Sequence, residues 1–461
     1  MQCFKICSKD IQKRIDPYFY SPQHDIELGC YHILTLSDIC NVITDGDHGN
    51  PQYSEDGSGI PYLRVVDVKN NLINYESMQY ITEEYSNSLY KSCFAHENNL
   101  LISIVGTLGE SVLYKGSTPL AISRGFAILE FNEKVIPEYV LAYTKTSIFN
   151  KQIQKNKVGS VQDGIYLQSL KEIKIPIPSL DEQQKIAQLA LNAYENKLKR
   201  EEDVEEMMSS LENEIFEYLD IKNINTKSKK VFSIRSNKLR NCRIDPLFYS
   251  QDILSSIESS KYKSYKLGEI VDYLKTGFAA GKSEQSDSKV GIIQIRPTNI
   301  NDDRLLCFDK NIYINPDNVN LKEQNLLQKG EVLFNNTNSQ ELVGKTAFFN
   351  IEGEFFCSNH ITRIGVKREV VNPIFLTYIL NLLQKNNVFY NTCTNWNNQS
   401  GVNIELLKTY NIPLPDIKLQ NQIAEVIKEA FSNKLNKELN IINEFNKIKA
   451  KVEKMILGEE S

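Results

Sequence analysis

Two long stretches of the chain place apolar residues at alternating four- and three-residue spacings, with no proline or glycine to interrupt them. Val204, Met208, Leu211, Ile215 and Tyr218 set the pattern in the first, and Ile441, Phe445, Ile448, Val452 and Met455 in the second. This spacing lines the apolar side chains along one helical stripe, the seam of a coiled coil. The first helix is predicted to run from Ser179 to about Leu219, and the second from Asp416 to about Leu457. Ser179 and Asp416 are suited to N-capping, and Asp181 and Glu182 add first-turn acids that favour the helix dipole. Each helix, of roughly 40 residues, would extend about 60 Å, too far to pack on one small domain. Each seam is therefore expected to face the other in an antiparallel pair.

Between these stretches the pattern changes. Short β-branched runs such as LRVVDV, NNLLISIV, GIIQI and EVLFNN are bounded by Gly, Asn and Pro turn signals and read as strands. PEYVLAYTKTSIFNKQI (137–153) and PIFLTYILNLLQK (373–385) carry helical spacing behind a helix-starting proline. Each globular part is thus α+β. Pro176 and Pro178, like Pro413 and Pro415, close the part that precedes each long helix, because proline lacks an amide hydrogen and steers its neighbour out of the helical region.

The two halves repeat one another. RIDPYFYS (14–21) returns as RIDPLFYS (243–250), and GIPYLRVVDV (59–68) as GIIQIRPTNI (291–300), which aligns Arg64 with Arg296 and Asp67 with Asn299. SRGFAIL (123–129) answers SNHITRI (358–364) more loosely. The strongest match sets QDGIYLQSLKEIKIPIPSLDEQQKIA (162–187) against QSGVNIELLKTYNIPLPDIKLQNQIA (399–424). Repeats on this scale mean a duplicated structural unit. The expected division is 1–178, first globular domain; 179–222, central helix; 223–415, second globular domain; and 416–461, C-terminal helix.

Two variable α+β domains, each closed by G-x-x-L/I-x-x-L-K-x-x-x-I-P-x-P and a long helix bearing E/L-Q-x-x-I-A, resemble the specificity subunit of type I restriction-modification systems. EVLFNNTNSQELVGKTAFF (331–349) and NLLISIVGTLGESVLY (99–114) are similar to the central strand-turn-strand of that family's target recognition domains. The resemblance covers the whole chain. It implies two tandem target recognition domains, separated by two long antiparallel coiled-coil helices and related by a pseudo-twofold axis. Each would read one half of a gapped site in double-stranded DNA, with the helices fixing the gap. It also implies no catalysis in this chain, docking of methyltransferase subunits, two in number, on the helices, and restriction subunits in the full complex. The motif residues Glu182, Gln183, Gln184, Gln420 and Asn421 are the expected docking positions; Leu419 stands where the first copy has Glu182. The alternative from another class is a helical scaffold in a defence complex without sequence reading of its own.

Composition narrows the picture further. With 461 residues, 41% of them hydrophobic and 24% charged, the chain is long enough for two or more domains and ordinary for a soluble protein. It has no apolar run of membrane-spanning length. Charged residues interrupt the N-terminal segment where a signal peptide would be apolar, so a cytoplasmic location is expected. Nine cysteines without CxxC pairs and five histidines without ligand spacing predict reduced thiols and no metal site. The net charge of -5 is unevenly spread: residues 179–220 carry 4 basic and 12 acidic groups, whereas 221–415 carry 25 and 18. The acidic helix reads as a solvated face or docking surface, and the basic second domain suits a phosphate backbone.

No cofactor is predicted. GFAAGKS (277–283) has three residues between its glycines where a phosphate-binding loop needs four, and NPIF (372–375) lacks the second proline of an adenine-methyltransferase motif. DNA readers should be polar side chains on loops, since Arg pairs with guanine and Asn or Gln with adenine in the major groove. The densest sets are Asn335, Asn336, Asn338 and Gln340, and Asn395, Asn397, Asn398 and Gln399 around the sole tryptophan, Trp396. The first domain offers Thr107, Arg124, Ser160 and Gln162. Arg64 and Arg296 are candidates for phosphate or base contact, or for salt bridging at a strand edge.

Overall fold

The computed structural model describes residues 18–69, 72–159, 163–221, 260–286, 290–315, 326–397 and 399–460. The repeated phrase at 243–250 and residues 14–17 of its first copy lie outside this range. The chain divides into two units by its contacts: Met1–Asp203 with Lys437–Ser461, and Val204–Asn436. The first unit is therefore assembled from two separate stretches of chain, and the second from one continuous stretch.

In the first unit, Cys40–Asp45, Phe126–Phe131, Leu100–Ser103 and Ser111–Leu113 form an antiparallel sheet in that spatial order. Leu100–Ser103 is buried along its whole length, as its unbroken apolar run suggests. Period-two alternation splits its side chains between two cores: Leu100 and Ile102 join Tyr139 and Phe149, and Leu101 joins Ile122 and Phe126. A second sheet is ordered Gln79–Ile81, Ile60–Leu63, Leu120–Ile122, Phe94–Ala95, with its middle pair parallel. His32–Thr35 pairs antiparallel with Lys174–Ile177 just before the long helix.

The second unit repeats this plan. Val271–Thr276, Ile361–Val366, Val332–Asn335 and Thr346–Phe348 take the same sheet order. Ile312–Ile314, Ile292–Ile295 and Phe355–Cys357 form the second sheet, again with a parallel pair, and Ser264–Lys266 pairs with Asn411–Pro413. The predicted helix at 373–385 is continuous, whereas the one at 137–153 is two helices, Pro137–Thr144 and Ser147–Asn156. Thr146 divides them, its hydroxyl accepting from the Phe149 amide at 3.2 Å as a new N-cap.

The long helices are Leu180–Tyr218 and Ile417–Leu457, 39 and 41 residues. Ser179 caps the first in a reciprocal box: its hydroxyl accepts from Glu182 N at 3.3 Å, and Glu182 Oε2 accepts from Ser179 N at 3.0 Å. Glu182 also accepts from the Tyr31 hydroxyl at 3.2 Å. Asp416 caps the second helix through Leu419 N at 3.0 Å. That cap carries its own charge, so Leu419 is left to pack against the apolar core.

Gln183 and Gln420 correct an expectation. Both are wholly buried, so neither offers a docking surface. Gln183 accepts from Ile136 N at 2.9 Å and donates to the Pro178 and Lys134 carbonyls at 3.1 and 3.2 Å. Gln420 accepts from Asn372 N at 2.9 Å and donates to the Pro415 and Val370 carbonyls at 2.8 and 3.0 Å. The repeated Q-x-x-I-A is thus a folding device, in which Ile186, Ala187, Ile423 and Ala424 are buried beside the glutamines. Gln184 and Asn421 remain exposed.

In the first unit the start of one long helix runs antiparallel to the end of the other. Tyr194 meets Phe445 edge-on at 4.9 Å, Arg200 pairs with Glu444, and Ala190 shares a core with Val452 and Ile456. In the second unit Leu211, Ile215 and Leu219 share a core with Ile423 and Ile427. Each seam thus also packs into a globular core. Tyr218 departs from the predicted seam: it is 37% exposed, and Leu219, just past the helix, is buried in its place. Among the described residues no helix is long and apolar enough to cross a membrane.

Chain threading of this kind makes the first unit depend on the last residues. Leu457 O accepts from Cys30 N at 3.1 Å, and Ser147 N donates to Glu453 at 3.1 Å. A side chain at Gly29, where φ is +71°, would meet Leu457 O at 1.9 Å. Ile456→Ala should lower stability by about 2–5 kcal/mol, as for other buried large-to-small changes. Hydrogen exchange should localise the loosening to the first unit and spare Val332–Asn335 in the second. Lys145 supplies a pH-dependent check. Its ammonium donates to the Ser111 carbonyl and hydroxyl at 2.7 and 2.6 Å. Burial pushes its pKa down to about 7, with Glu110 opposing and Lys449 reinforcing the shift. A depressed lysine binds fewer protons folded than unfolded, so its destabilising effect is full below pH 7 and fades as pH rises toward the unfolded value. Lys145→Met should therefore raise the melting temperature most at or below neutral pH and progressively less toward pH 10, about the ordinary lysine value.

Candidate nucleic-acid interface

The two asparagine-rich sets of the second domain converge in the fold. Thr337–Asn338 pairs with Gln399–Gly401, which pairs in turn with Thr394–Trp396, giving a three-stranded sheet that ends in a hairpin. Thr394, Asn395, Asn397 and Gln399 are exposed, and Trp396 is 44% exposed. The indole lies over Gly401, where a Cβ would come within 2.5 Å of its ring. The hairpin turns through Asn397 at φ +40°, a left-handed backbone that asparagine tolerates. Asn398 lies outside the described residues. A cleft of about 640 Å³ opens beside this sheet, lined in part by Thr276, Thr337, Thr362, Trp396 and Asn403.

Asn335 and Asn336 differ from the expectation that they face outward. Both are buried. Asn335 Nδ2 donates to Leu342 O at 3.0 Å, bracing the loop that leads to Thr346–Phe348. Asn336 Nδ2 donates to Thr362 Oγ1 at 2.9 Å and Asn359 O at 3.2 Å, and its Oδ1 accepts from Thr337 at 2.8 Å. Asn335 Oδ1 is enclosed without a partner among the described residues and Asn336 is fully engaged, so both amides brace the platform from within. Asn338 and Gln340 are half-buried; Asn338 Oδ1 caps Ser339 N at 2.8 Å, and Gln340 Nε2 donates to Tyr390 O at 2.8 Å. Beneath them Arg363 and Glu331 form a buried ion pair, Nε to Oε2 at 3.0 Å and a second nitrogen to Oε1 at 2.6 Å. Tyr273 donates to the same carboxylate. Burial, then this bond, pushes the Tyr273 hydroxyl well above the ordinary tyrosine range.

The first domain brings together the corresponding segments. Val105 and Val158 each bridge to Gly164, Gly106 N donates to Asp163 O at 2.9 Å, and Lys157 pairs with Asp163 at 2.6 Å. These contacts bracket Ser160 and Gln162, which lie outside the described residues. Thr107 is exposed on the neighbouring loop, where its carbonyl accepts from the Ser103 hydroxyl. Arg124 is exposed in the turn after Leu120–Ile122, and its side chain forms no hydrogen bond with the described residues.

Arg64 is engaged inside its own domain. Its Nε and one terminal nitrogen donate to the two Asp67 oxygens at 2.9 Å each, and further bonds reach Gln79 at 2.6 Å and Ser77 O at 3.1 Å. Hydrogen bonding to Asp67 raises its pKa above the ordinary arginine value. Arg296 is half-buried, and its Nε is enclosed without a partner among the described residues. Sequence reasoning missed two glycines that shape this region. A side chain at Gly46 would meet Ile122 O at 2.2 Å, and one at Gly277 would meet Cys357 O at 2.0 Å. Each stands where the strand before it crosses onto the turn that carries Ser123 or Ser358, through the bridges Asp47–Ser123 and Phe278–Ser358. The available signal was the shared glycine in VITDG and YLKTG.

The family model for the type I restriction modification DNA specificity domain matches residues 31–206 and again 259–446. A Methanocaldococcus jannaschii chain assigned as the specificity subunit of the type I restriction enzyme MjaX is 25% identical over 43% of this chain and 48% of its own length. The Escherichia coli type I restriction enzyme EcoBI specificity subunit is 23% identical over 38% of this chain and 40% of its own. The match thus spans about half the length of these curated relatives. A solved chain from work on complex assembly and conformational transition of the type I R-M system aligns with a TM-score of 0.53 at 14% identity, covering 94% of this chain and 99% of that one. At that identity the likeness concerns the fold.

Burial separates the asparagines by role. Asn336→Ala strands buried partners and should cost about 1–3 kcal/mol of stability. Asn397→Ala and Gln399→Ala, at exposed positions, should stay within about 0.5 kcal/mol of wild type. Denaturant titration of the three variants distinguishes the two groups.

Proposed function

This chain belongs to the type I restriction modification DNA specificity family, and we propose that it reads a two-part, gapped site in double-stranded DNA for a restriction-modification complex. Residues 1–178 and 223–415 serve as the two target recognition domains, and 179–222 and 416–461 as the helices that set the gap between the half-sites. The observation that carries this reading is the repeated convergence of two polar segments on one fold: Thr337–Asn338 with Gln399–Gly401 in one domain, and the Val105 and Val158 segments at Gly164 in the other.

In the second domain Asn338, Gln340, Asn397, Asn398 and Gln399 are the proposed readers, with Trp396 packing an aromatic face against the DNA. Amide side chains suit adenine, whose N6 and N7 match one donor and one acceptor. In the first domain Thr107, Ser160 and Gln162 take that place. The basic excess of residues 221–415 favours duplex phosphates. The chain contributes recognition and no catalysis, which falls to methyltransferase subunits, two in number, and to restriction subunits in a cytoplasmic complex. Gln184, Asn421 and the half-exposed Leu439 and Ile442 offer docking surface on the helices. Single-molecule mapping of methylated adenines in host DNA, with and without this gene, tests the proposal: loss of one bipartite motif is expected, and an unchanged methylation pattern refutes it.

The helix spacer makes a further prediction. Because the helices pack on each other, one cannot be lengthened alone without breaking the pairing. Seven residues added after Asp203 and seven after Asn436 preserve the seam and add about 10.5 Å. The gap should then lengthen by about three base pairs at 3.4 Å each, with both half-sites unchanged. Methylation mapping of the paired insertion reads the outcome directly; an active variant with an unaltered gap shows that the helices do not set it.

A further inference from the structure

The two domains share a corner at which one strand end meets one turn. In the first, Ser123 N donates to Leu63 O at 3.0 Å, so Arg64 and Arg124 each follow one partner of a single backbone hydrogen bond. In the second, Ser358 N donates to Ile295 O at 2.9 Å, and the residues that follow are Arg296 and Asn359. The local backbone is the same at both corners. Arg64 N donates to Asp67 Oδ2 at 3.0 Å, and Arg296 N donates to Asn299 Oδ1 at 3.0 Å.

The charges at the two corners differ. Asp67 is fully buried and takes two bonds from the Arg64 guanidinium, which is neutralised where it stands. Asn299 keeps the same backbone bond without the charge, and its Nδ2 is committed to Cys307 O at 3.0 Å and Asn311 at 3.3 Å. The Arg296 guanidinium therefore has no carboxylate at the position that holds Arg64, and the buried Arg296 Nε and Ser358 Oγ both lack partners among the described residues. The turn shows the converse exchange: the first domain carries exposed Arg124, and the second has neutral Asn359. Among the described residues, each corner keeps one arginine without a carboxylate partner, supplied from a different sequence position.

Building on the DNA-reading function, we propose that this corner in each domain binds a DNA phosphate through one guanidinium, Arg124 in the first domain and Arg296 in the second, with Arg64 serving to hold its own strand end. A guanidinium with unused donors matches phosphate geometry.

The test measures binding of the full chain to a random-sequence duplex pool across a salt series, with melting temperature as the folding control. Arg124→Gln and Arg296→Gln should each reduce the log–log salt slope by about 0.9, the value for one phosphate contact, and weaken binding alike across sequences. Asn299→Asp, which restores a carboxylate beside Arg296 without removing the arginine, should reproduce the slope loss of Arg296→Gln. Arg64→Gln should lower the melting temperature and leave the slope unchanged. Unchanged slopes in both arginine variants, with wild type binding normally, overturn the assignment. So does a shift in the sequences enriched from the pool, which would mean base reading. Failure of the wild type to bind any duplex counts instead against the DNA-reading function on which this rests.

Discussion

A buried glutamine at the root of each long helix is the constraint on which the rest of the structure depends. Gln183 and Gln420 each satisfy one backbone amide and two backbone carbonyls where the chain changes from Pro-x-Pro strand to helix. Those backbone groups are poorly placed to bond each other, and leaving any of them unpaired in the interior would cost about 1–3 kcal/mol. A side chain carrying both donor and acceptor at the right reach resolves all three at once. The direction in which the helix leaves the domain is thereby fixed by hydrogen bonds, while Ile186, Ala187, Ile423 and Ala424 supply the apolar contact.

The duplication is more faithful in architecture than in chemistry. Sheet order, the parallel strand pair, the closing ladder and the glutamine root recur in both units. Side chains facing the polar loops do not. Asp67 and Asn299 occupy the same cap with different charge, and Leu419 replaces Glu182 because Asp416 already supplies the cap. Packing tolerates few solutions to one backbone, whereas a buried polar residue can change its charge and still keep the same backbone hydrogen bond, as Asp67 and Asn299 do.

Much of this was legible in the sequence. Proline punctuation, cap residues and the four-three spacing located the long helices to within a residue or two, and the alignment of the halves identified the repeat unit. The seams missed at their ends, where Leu219 and Ile456 are buried more deeply than Tyr218 and Met455. They missed also in their partner, since Leu211 and Ile215 pack with Ile423 and Ile427, and Val452 with Ile186 and Ala190, rather than seam against seam. The polar loops were harder to read. Asn335 and Asn336 stand among residues of the same type, and nothing local distinguishes an amide that braces a loop from one that faces solvent. The distinction arises from Leu342, Asn359 and Thr362, which meet them only in the folded chain. For the same reason the Q-x-x-I-A glutamines resemble surface residues until their carbonyl partners are known.

The sharing of Lys437–Ser461 with the first unit also has a temporal side. Synthesis delivers the N-terminal sheets long before Val452 and Ile456, which complete their core. The first unit is made before the helix that completes it. Until the ribosome has produced the second long helix, the apolar face of Ile186, Ala187 and Ala190 has no Val452 or Ile456 to cover it. The nascent chain must keep that face from other partners while more than two hundred further residues are added.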